Sequence, residues 1–160
     1  MLLPIASLEP IGRSDLNACL TAWGHKMGEW NRPLMKEWLT GLFHEGRLVA
    51  VLAAAGLIRE RCGGFTREQA FELGRVCAVR RDLNRAALRL WREFVFPSIC
   101  RAEGYRAVIS YQDAVIHSGD LYRFDGWRRV GKSRSGADQR TGRRGRSKVI
   151  WAFDYREAAA

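Results

Sequence analysis

Hydrophobic side chains recur along the chain at two spacings, and these predict alternating helices and strands. In residues 14–23 they fall three or four positions apart, as on one face of a helix, with Ser14 as its N-cap. Residues 31–42 show a similar spacing, and residues 83–95 show it most clearly. Pro97 is expected to end or kink this last helix, because a proline cannot continue the backbone hydrogen bonding of a helix.

Shorter apolar runs predict the strands, at residues 2–8, 42–45, 48–59, 70–79, 105–110, 125–131 and 148–153. The run 48–59 is almost continuously apolar, which indicates burial on both faces of a sheet. In the run 70–79, Glu72 is the polar exception, and Gly74 marks a bulge or the close approach of another segment. With a short helix near residue 121, this order predicts a single α/β domain with a mixed central sheet and helices on both faces.

The composition narrows the class of protein. A chain of 160 residues with 47% hydrophobic and 28% charged residues has the size and make-up of one globular domain. Its longest apolar run, residues 48–58, has eleven residues, too few to cross a bilayer, so no membrane partner is expected. The N-terminus lacks the basic region of a signal peptide. Four cysteines without a C-x-x-C pair indicate reduced thiols and a cytoplasmic protein.

The positive charge is concentrated near the C-terminus. The chain has a net charge of +10, and residues 128–148 hold nine basic residues against one acid, Asp138. These nine are Arg128, Arg129, Lys132, Arg134, Arg140, Arg143, Arg144, Arg146 and Lys148. Guanidinium groups pair with phosphate oxygens, and glycines let the backbone approach, so this segment predicts binding of nucleic acid. The alternative is a solvated loop without a partner.

The junction between the strand 70–79 and the helix 83–95 has the features of an anion site. A helix N-terminus presents free N–H groups and the positive end of the helix dipole. Arg80, Arg81 and Arg85 add formal charge there, so a pyrophosphate or a coenzyme A phosphate would suit it. The glycines of a P-loop or a dinucleotide fingerprint are absent, which disfavours ATP and NAD. The alternative is an ordinary capped surface helix.

A polar segment at the end of the strand 105–110 holds the residues best suited to proton transfer. Asp113 and His117 are candidate bases or proton relays, and Tyr111 or Tyr122 is the candidate acid. Open α/β sheets place their chemistry in loops beyond the strand ends, which is where these residues fall. For each of them, the alternative is a structural hydrogen bond.

Other reaction classes have less support. No G-x-S-x-G nucleophile elbow occurs, which disfavours serine hydrolysis. The three histidines, His25, His44 and His117, are scattered and form no H-x-x-x-H pair, so no metal site is predicted. His25 and His44 are weaker candidates than His117, although the segment AWGHKMGEWNRP is polar enough to reach over a site.

Together these segments resemble the GNAT acyltransferase fold. The resemblance rests on the strand ELGRVCAV, the turn RRDLNRA with the helix behind it, and the segment SGDLYRFDGWRRVG. It implies acetyl-CoA as the cofactor, with its pyrophosphate on a turn that lacks the family pattern Q/R-x-x-G-x-G/A. The cofactor-binding residues so implied are Val76, Ala78, Arg80, Arg81, Asn84 and Arg85. Tyr122, which precedes the pair Gly126-Trp127, would be the general acid.

Within this superfamily the sequence resembles the phage Mom-type DNA-modification proteins. The shared features are ELGR on the strand, the polar segment SYQD…HSG…Y and the basic C-terminal part. The resemblance implies a phage or prophage protein that acts in the bacterial cytoplasm. It would transfer a methylcarbamoyl group to N6 of adenine in DNA and so mask restriction sites. The reaction-centre residues so implied are Arg75, Asp113 and Tyr122, with Ser110 and His117 as supporting donors. Iron as a further cofactor has no support in the sequence.

Two other functions fit the same residues. One is a GNAT N-acetyltransferase that acts on a protein, an aminoacyl-tRNA or a small amine. The other, from a different class, is a non-catalytic basic module that binds DNA or RNA. Binding of acetyl-CoA separates the enzymes from the module, and analysis of DNA nucleosides separates the acceptors. The sequence is compatible with a homodimer as well as a monomer.

Overall fold

The computed structural model describes residues 6–134 and 147–156, and its strands form one large sheet and one small hairpin. The strands are β1 (Ala6–Pro10), β2 (Glu37–His44), β3 (Arg47–Gly56), β4 (Arg61–Cys62), β5 (Phe65–Thr66), β6 (Ala70–Ala78), β7 (Ala107–Asp113), β8 (Arg128–Arg134) and β9 (Ser147–Asp154). The helices are α1 (Arg13–Ala22), α2 (Leu83–Leu90), α3 (Phe96–Glu103) and α4 (Asp120–Phe124), with a π-helical turn (Trp91–Val95) between α2 and α3. The large sheet has the strand order β1-β2-β3-β6-β7-β9-β8.

Both faces of the sheet are covered, so the predicted mixed α/β architecture with helices on both faces is confirmed. Residues 50–55 of β3 are completely buried, because alternate side chains enter cores on opposite faces. On one face, Leu52 packs in the same core as Leu88 of α2. On the other face, Val51 packs in the same core as Leu16 of α1. The β4–β5 hairpin covers a third, smaller core.

The helix predicted over residues 31–42 is wrong, because the chain enters β2 at Glu37. Trp38 and Leu42 are four positions apart, a spacing that places two side chains on one face of a helix and equally on one face of a strand. Leu34, which the helical pattern placed beside them, is fully exposed. The strand expected at 42–45 therefore begins five residues earlier.

Pro97 does not end the helix. The backbone passes through the π turn, in which the N–H of Phe96 donates to the carbonyl of Trp91, five residues earlier. A proline has no N–H to donate, and in a regular α-helix its ring collides with the carbonyl four residues earlier; the wider turn relieves that collision. α3 then continues to Gly104, whose φ of 78° ends the helix in a left-handed conformation.

Gly74 sits in a bulge of β6, as the sequence predicts. Ala53 of β3 pairs with Arg75 and Ala54 pairs with Leu73, which leaves Gly74 between the two pairs. A Cβ atom on Gly74 would lie 2.5 Å from the indole ring of Trp30. The bulge and the close approach are therefore both present, and only glycine fits under Trp30.

The sheet divides at its centre. The parallel strands β6 and β7 are in register over three residue pairs, from Ala70–Ala107 to Glu72–Ile109. Beyond these pairs, β6 continues beside β3 and β7 continues beside β9, so a wedge opens between β6 and β7. The inner edge of β6 after Glu72 has no neighbouring strand among the described residues, and its backbone polar groups border the wedge.

Candidate active site

The wedge opens into a cavity of about 1020 Å³. Its walls come from the second half of β6, the end of β7 with the loop after it, the turn before α2 and the loop between α1 and β2. Seven Lys and Arg side chains line it against three carboxylates: Lys26, Arg32, Arg59, Arg75, Arg81, Arg85 and Lys148 against Glu72, Asp113 and Asp120. The excess of positive charge suits an anionic ligand.

Tyr122 and Ser110 meet where the strands diverge. Ser110 Oγ lies 2.8 Å from the carbonyl oxygen of Leu73 and 2.8 Å from the hydroxyl of Tyr122. Because a hydroxyl has one proton, Ser110 donates to Leu73 and accepts from Tyr122. Burial raises the pKa of Tyr122, with a further contribution from the negative charge of Glu72. Tyr122 therefore holds its proton at neutral pH, as a general acid must.

A buried polar network fixes the segment that carries Tyr122. Gln112 accepts the indole N–H of Trp151 at 2.7 Å and donates to the carbonyl of His117 at 2.6 Å. The ring of Trp151 stacks on the ring of Tyr122, with 6.1 Å between centroids. Gly119 precedes α4 with a φ of +83° and lies against Gln112. The position of Tyr122 thus depends on contacts among three separate elements.

Replacement of Gly119 by alanine is expected to destabilise the fold by about 2–3 kcal/mol. The new Cβ would lie 2.4 Å from Oε1 of Gln112, which its two hydrogen bonds hold in place. Gly104→Ala is the matched control, since Gly104 has a similar φ of +78° and no atom within 4 Å of its Cβ position. It should lose only about 1 kcal/mol. Equal losses in denaturant unfolding would show that crowding at Gly119 is unimportant.

Five of the six residues implied to bind the cofactor line the end of the cavity near α2: Val76, Ala78, Arg81, Asn84 and Arg85. The sixth, Arg80, lies outside this lining and pairs with Asp82 at 3.0 Å on the exposed surface. Oδ1 of Asn84 is buried and has no hydrogen-bond partner among the described residues. It can therefore accept a hydrogen bond from a ligand.

Arg75 lines the cavity, and its guanidinium group also holds the loop between α1 and β2. It donates to the carbonyl of Gly74 at 2.8 Å and to the carbonyls of Met27 and Gly28 at 3.3 Å. Burial, followed by the neighbouring positive charge of Arg32, lowers the pKa of Arg75. Arg75 thus supports one wall of the site, and its part in stabilising a developing oxyanion stays a prediction.

Sequence reasoning did not include Arg32 and Glu72 among the site residues, yet they form an ion pair in the cavity wall. Nη2 of Arg32 lies 2.9 and 3.0 Å from the two carboxylate oxygens of Glu72, and its guanidinium group lies over the ring of Trp30. The polar residue inside the apolar strand was the available signal, because a buried carboxylate needs a partner. That partner lies 40 residues away in sequence, so the pattern did not identify it.

Asp113 and His117 come together in the turn after β7. Oδ1 of Asp113 accepts the N–H of Val115 at 3.0 Å, and its backbone carbonyl accepts the N–H of His117 at 2.9 Å. Burial lowers the pKa of His117, with a further contribution from Lys26 and Arg81 and opposition from Asp113. The imidazole is therefore neutral at pH 7 and able to accept a proton.

His25 lies in the loop between α1 and β2 and also lines the cavity. Its Nδ1 accepts the backbone N–H of Met27 at 3.2 Å, which places the proton of the neutral imidazole on Nε2. Burial lowers the pKa of His25 to about 4, and the charges of Arg75 and His117 contribute. The two histidines therefore line one cavity as neutral groups, and His25 presents a donor nitrogen.

The lowered pKa of His25 predicts a loss of stability in acid. The unfolded chain binds a proton near the ordinary pKa of 6.5, whereas the folded chain does so only near pH 4, so stability falls as the pH drops from 6.5 to 4. We expect His25 to account for about 2 kcal/mol of this loss. Denaturant unfolding at pH 7 and pH 4.5 should show a smaller pH dependence in His25→Asn. Titration of His25 near pH 6.5 by NMR would contradict the prediction.

The basic segment meets the cavity at one end. β8 and β9 pair up to Arg134–Ser147, and β9 places Lys148 opposite Asp113 at the end of β7. Lys148 lines the cavity, with its ammonium group 5.8 Å from the ring centroid of Tyr111. The paired ends of β8 and β9 therefore lie beside the cavity.

The other residues predicted to contact nucleic acid fall into two groups, those on β8 and those outside the described residues. Arg128, at the opposite end of β8, pairs with Asp154 at 2.6 Å, and Arg129 and Lys132 lie along the same strand. Arg134 is the last residue of β8. Arg140, Arg143, Arg144 and Arg146 lie outside the described residues.

Over residues 6–134 and 147–156, no helix is both long enough and apolar enough to cross a membrane. Within the same ranges, no three His, Cys, Asp or Glu side chains are grouped so that they could hold a metal ion. All four cysteines are free thiols, and Cys62, Cys77 and Cys100 are buried.

No protein-family model and no curated protein matches the sequence. The fold does match solved structures. The ribosomal-protein-S18-alanine N-acetyltransferase of Escherichia coli is 14% identical, with a TM-score of 0.61 and 97% of each chain covered. A putative acetyltransferase from Acinetobacter baylyi is 12% identical, with a TM-score of 0.65 and coverage of 96% of this chain and 95% of that one. A putative acetyltransferase from Salmonella typhimurium, solved with its cofactor acetyl-CoA, is 14% identical, with a TM-score of 0.58 and coverage of 97% and 96%.

These likenesses extend over nearly the whole chain and show that it has the GNAT acetyltransferase fold. The expectation of a GNAT-like central sheet is therefore confirmed. At such low identity the likeness concerns the fold, and the roles of individual residues rest on the geometry of the cavity.

Proposed function

We propose that the protein transfers an acyl group from acetyl-CoA to an amine in the wedge between β6 and β7. The observation that carries this proposal is the open inner edge of β6, which leads to a cationic turn at the N-terminus of α2. The pantetheine arm of coenzyme A is an extended chain with amide groups, which can pair with a strand edge as another strand would. Its phosphates are anions, and the turn with Arg81 and Arg85 suits them.

The side chains around the wedge supply the base, the acid and the hydrogen-bond donors that such an acyl transfer needs. Bound acetyl-CoA supplies the acyl carbon, which forms a bond to the amine nitrogen as its bond to sulfur breaks. His117, neutral at pH 7, takes the proton that the amine loses, and Tyr122 gives its proton to the departing thiolate. Asp113 holds the turn that carries His117. Arg75 and the N–H groups on the inner edge of β6 stabilise the carbonyl oxygen.

Calorimetric titration with acetyl-CoA tests the donor. We expect binding, and we expect Arg81→Ala and Arg85→Ala each to weaken it about tenfold, because charge-assisted hydrogen bonds to phosphate are worth about 1.5–3 kcal/mol. Arg80→Ala is the matched control, since Arg80 lies outside the cavity lining and should leave the affinity unchanged. A wild-type protein that binds no acetyl-CoA at millimolar concentration would reject the proposal in favour of a binding module.

We further infer that the amine is N6 of adenine in DNA, as the resemblance to the Mom-type proteins implies. The support is the charge at the cavity: Arg59 and Lys148 line it, and residues 135–146, with four more arginines, join the strand ends beside it. The lone pair of N6 is delocalised into the ring, so the amine must be oriented and relieved of a proton. The base must also leave the helix, which costs a few kcal/mol, and contacts to phosphate offset part of that cost.

Mass spectrometry of nucleosides from plasmid DNA co-expressed with the protein tests the acceptor. We expect a modified deoxyadenosine whose mass identifies the group, and none with Tyr122→Phe. If deoxyadenosine stays unmodified while the protein acetylates a protein, an aminoacyl-tRNA or a small amine, that molecule is the acceptor and the DNA proposal fails.

Reversing the charges of Arg143, Arg144 and Arg146 should flatten the salt dependence of DNA binding.

A further inference from the structure

One exposed apolar side chain, that of Ile58, lies at the rim of the cavity. Ile58 belongs to the cavity lining, and yet 62% of its surface is exposed. The residue before it, Leu57, is buried in the core under the β4–β5 hairpin. Single exposed apolar side chains are common on protein surfaces, so exposure alone assigns no role to Ile58. Its role follows from its fixed backbone and from the charges around it.

Arg67, which follows β5, fixes the backbone around Ile58. Nη2 of Arg67 donates to the carbonyl of Ile58 at 2.8 Å, and the backbone N–H of Arg67 donates to the carbonyl of Glu60 at 2.9 Å. These two bonds tie the segment 58–60 to the end of the hairpin. A side chain on a segment held in this way loses little conformational entropy when it meets a ligand.

The segment around Ile58 is cationic. Residues 58–67 contain three arginines and one acid, which are Arg59, Arg61, Arg67 and Glu60. Arg59 lines the cavity next to Ile58 and pairs with no carboxylate among the described residues. A guanidinium group without such a partner is free to bind a phosphate.

Tyr111 connects the hairpin to the end of the basic segment. Its hydroxyl lies 2.7 Å from Sγ of Cys62 in β4, and Nζ of Lys148 in β9 lies 5.8 Å from the centroid of its ring. Arg59 and Lys148, from these two separate parts of the chain, line the same cavity. The apolar side chain of Ile58 therefore lies at the rim of a cavity that two flanking segments make cationic.

We propose that Ile58 inserts into the base stack of duplex DNA when the target base turns into the cavity, with Arg59 on a neighbouring phosphate. The inference rests on the proposed transfer to adenine in DNA, because only a base that leaves a stack leaves a gap to fill. Apolar side chains, isoleucine among them, separate base pairs in other proteins that bend DNA. Burial of Ile58 in the gap offsets part of the cost of unstacking. Ile58 is thus a positioning residue, and it takes no part in the acyl transfer itself.

Rates of modification on double-stranded and single-stranded DNA test this insertion. The substrates are a plasmid and the single-stranded circle of the same sequence, and mass spectrometry measures the modified deoxyadenosine. We expect Ile58→Ala to lower the rate on the duplex at least about tenfold, because unstacking is then not compensated. The rate on the single strand should stay unchanged, since no base pair has to open. Ile58→Met, which keeps a long apolar side chain, should restore most of the duplex rate. Equal effects on both substrates, or no effect on either, would overturn the proposal.

Leu34→Ala is the matched control for Ile58→Ala. The leucine side chain has as many carbon atoms as that of isoleucine, and Leu34 is fully exposed but lies outside the cavity lining. This variant should leave both rates unchanged.

Arg59→Ala separates the phosphate contact from the insertion. Because single strands also carry phosphates, we expect weaker binding of both forms of DNA. The slope of log affinity against log salt concentration should become shallower by about one for the duplex. Unchanged affinity for both forms would overturn the part of the proposal that concerns Arg59.

A fluorescence measurement detects unstacking without catalysis. The probe is a duplex in which 2-aminopurine, a base that fluoresces more strongly when unstacked, replaces a fraction of the adenines. We expect the wild-type protein to raise the fluorescence at saturation and Ile58→Ala to raise it less. No rise with the wild-type protein would overturn the insertion.

The two experiments also distinguish this proposal from the proposed function. A protein that unstacks the probe through Ile58 but modifies no DNA keeps the insertion and loses the function. A protein that modifies duplex DNA with no effect of Ile58→Ala keeps the function and loses the insertion.

Discussion

Tyr122→Phe is expected to lower kcat for acyl transfer by about 10²- to 10⁴-fold, the range typical of a lost general acid. The substitution removes a single oxygen at the point where β6 and β7 diverge, where the hydroxyl of Tyr122 hydrogen-bonds Ser110. The phenyl ring would still stack on Trp151, so the wall of the cavity stays in place. The affinity for acetyl-CoA, measured by calorimetry, should therefore change by less than about threefold.

Tyr111→Phe is the matched control. Tyr111 is the other tyrosine of the cavity lining, and its hydroxyl lies 2.7 Å from the sulfur of Cys62. Burial raises its pKa, followed by the hydrogen bond to Cys62, so it too is protonated at neutral pH. If both variants lose activity equally, the loss comes from polarity of the cavity in general, and the assignment of Tyr122 as the acid fails.

Asp125→Ala is expected to destabilise the protein by about 3–5 kcal/mol, the cost of removing one member of a buried ion pair. The carboxylate of Asp125 is almost completely buried and accepts three groups: the guanidinium groups of Arg89 and Arg92, each at 2.7 Å, and the indole N–H of Trp127 at 2.9 Å. Its removal leaves the mostly buried Arg92 charged and without this partner. The measurement is the free energy of unfolding in denaturant.

Asp154→Ala provides the comparison for Asp125. Asp154 also accepts a guanidinium group, that of Arg128 at 2.6 Å, but both side chains are about half exposed. Exposed ion pairs contribute at most about 1 kcal/mol, because water and salt screen the charges. A similar loss in the two variants would mean that burial does not decide the strength of these pairs, and it would reject the argument for Asp125.

Local patterns in the sequence predicted the elements whose order of apolar and polar residues fits only one kind of secondary structure. The run 48–59 was assigned to a strand buried on both faces because almost every residue in it is apolar, and burial of residues 50–55 follows from that. The turn before α2 was assigned to anion binding from its arginines and the helix start alone. In the structure Arg81 and Arg85 line the cavity, whereas Arg80 does not.

The remaining features depend on contacts between residues far apart in sequence. A spacing of four positions could not separate strand from helix at Trp38 and Leu42, and only the pairing of β2 with β1 and β3 decides it. His25 was a weak candidate because its loop has no periodic pattern. It lies near Arg75, which donates to the carbonyls of Met27 and Gly28 in the same loop although it is about 50 residues away in sequence. No local pattern encodes such a contact.

Because the join between β6 and β7 is narrow, binding of the donor is expected to change how the protein unfolds. Three parallel residue pairs connect a block of four strands to a block of three, so few backbone bonds couple the two halves of the sheet. A donor lying along the inner edge of β6 and touching the loop after β7 acts as an additional strand across that join. Saturation at 100 times Kd adds about 2.7 kcal/mol of stability. The occupied protein would then behave as one cooperative unit in which the substrate itself is a structural element.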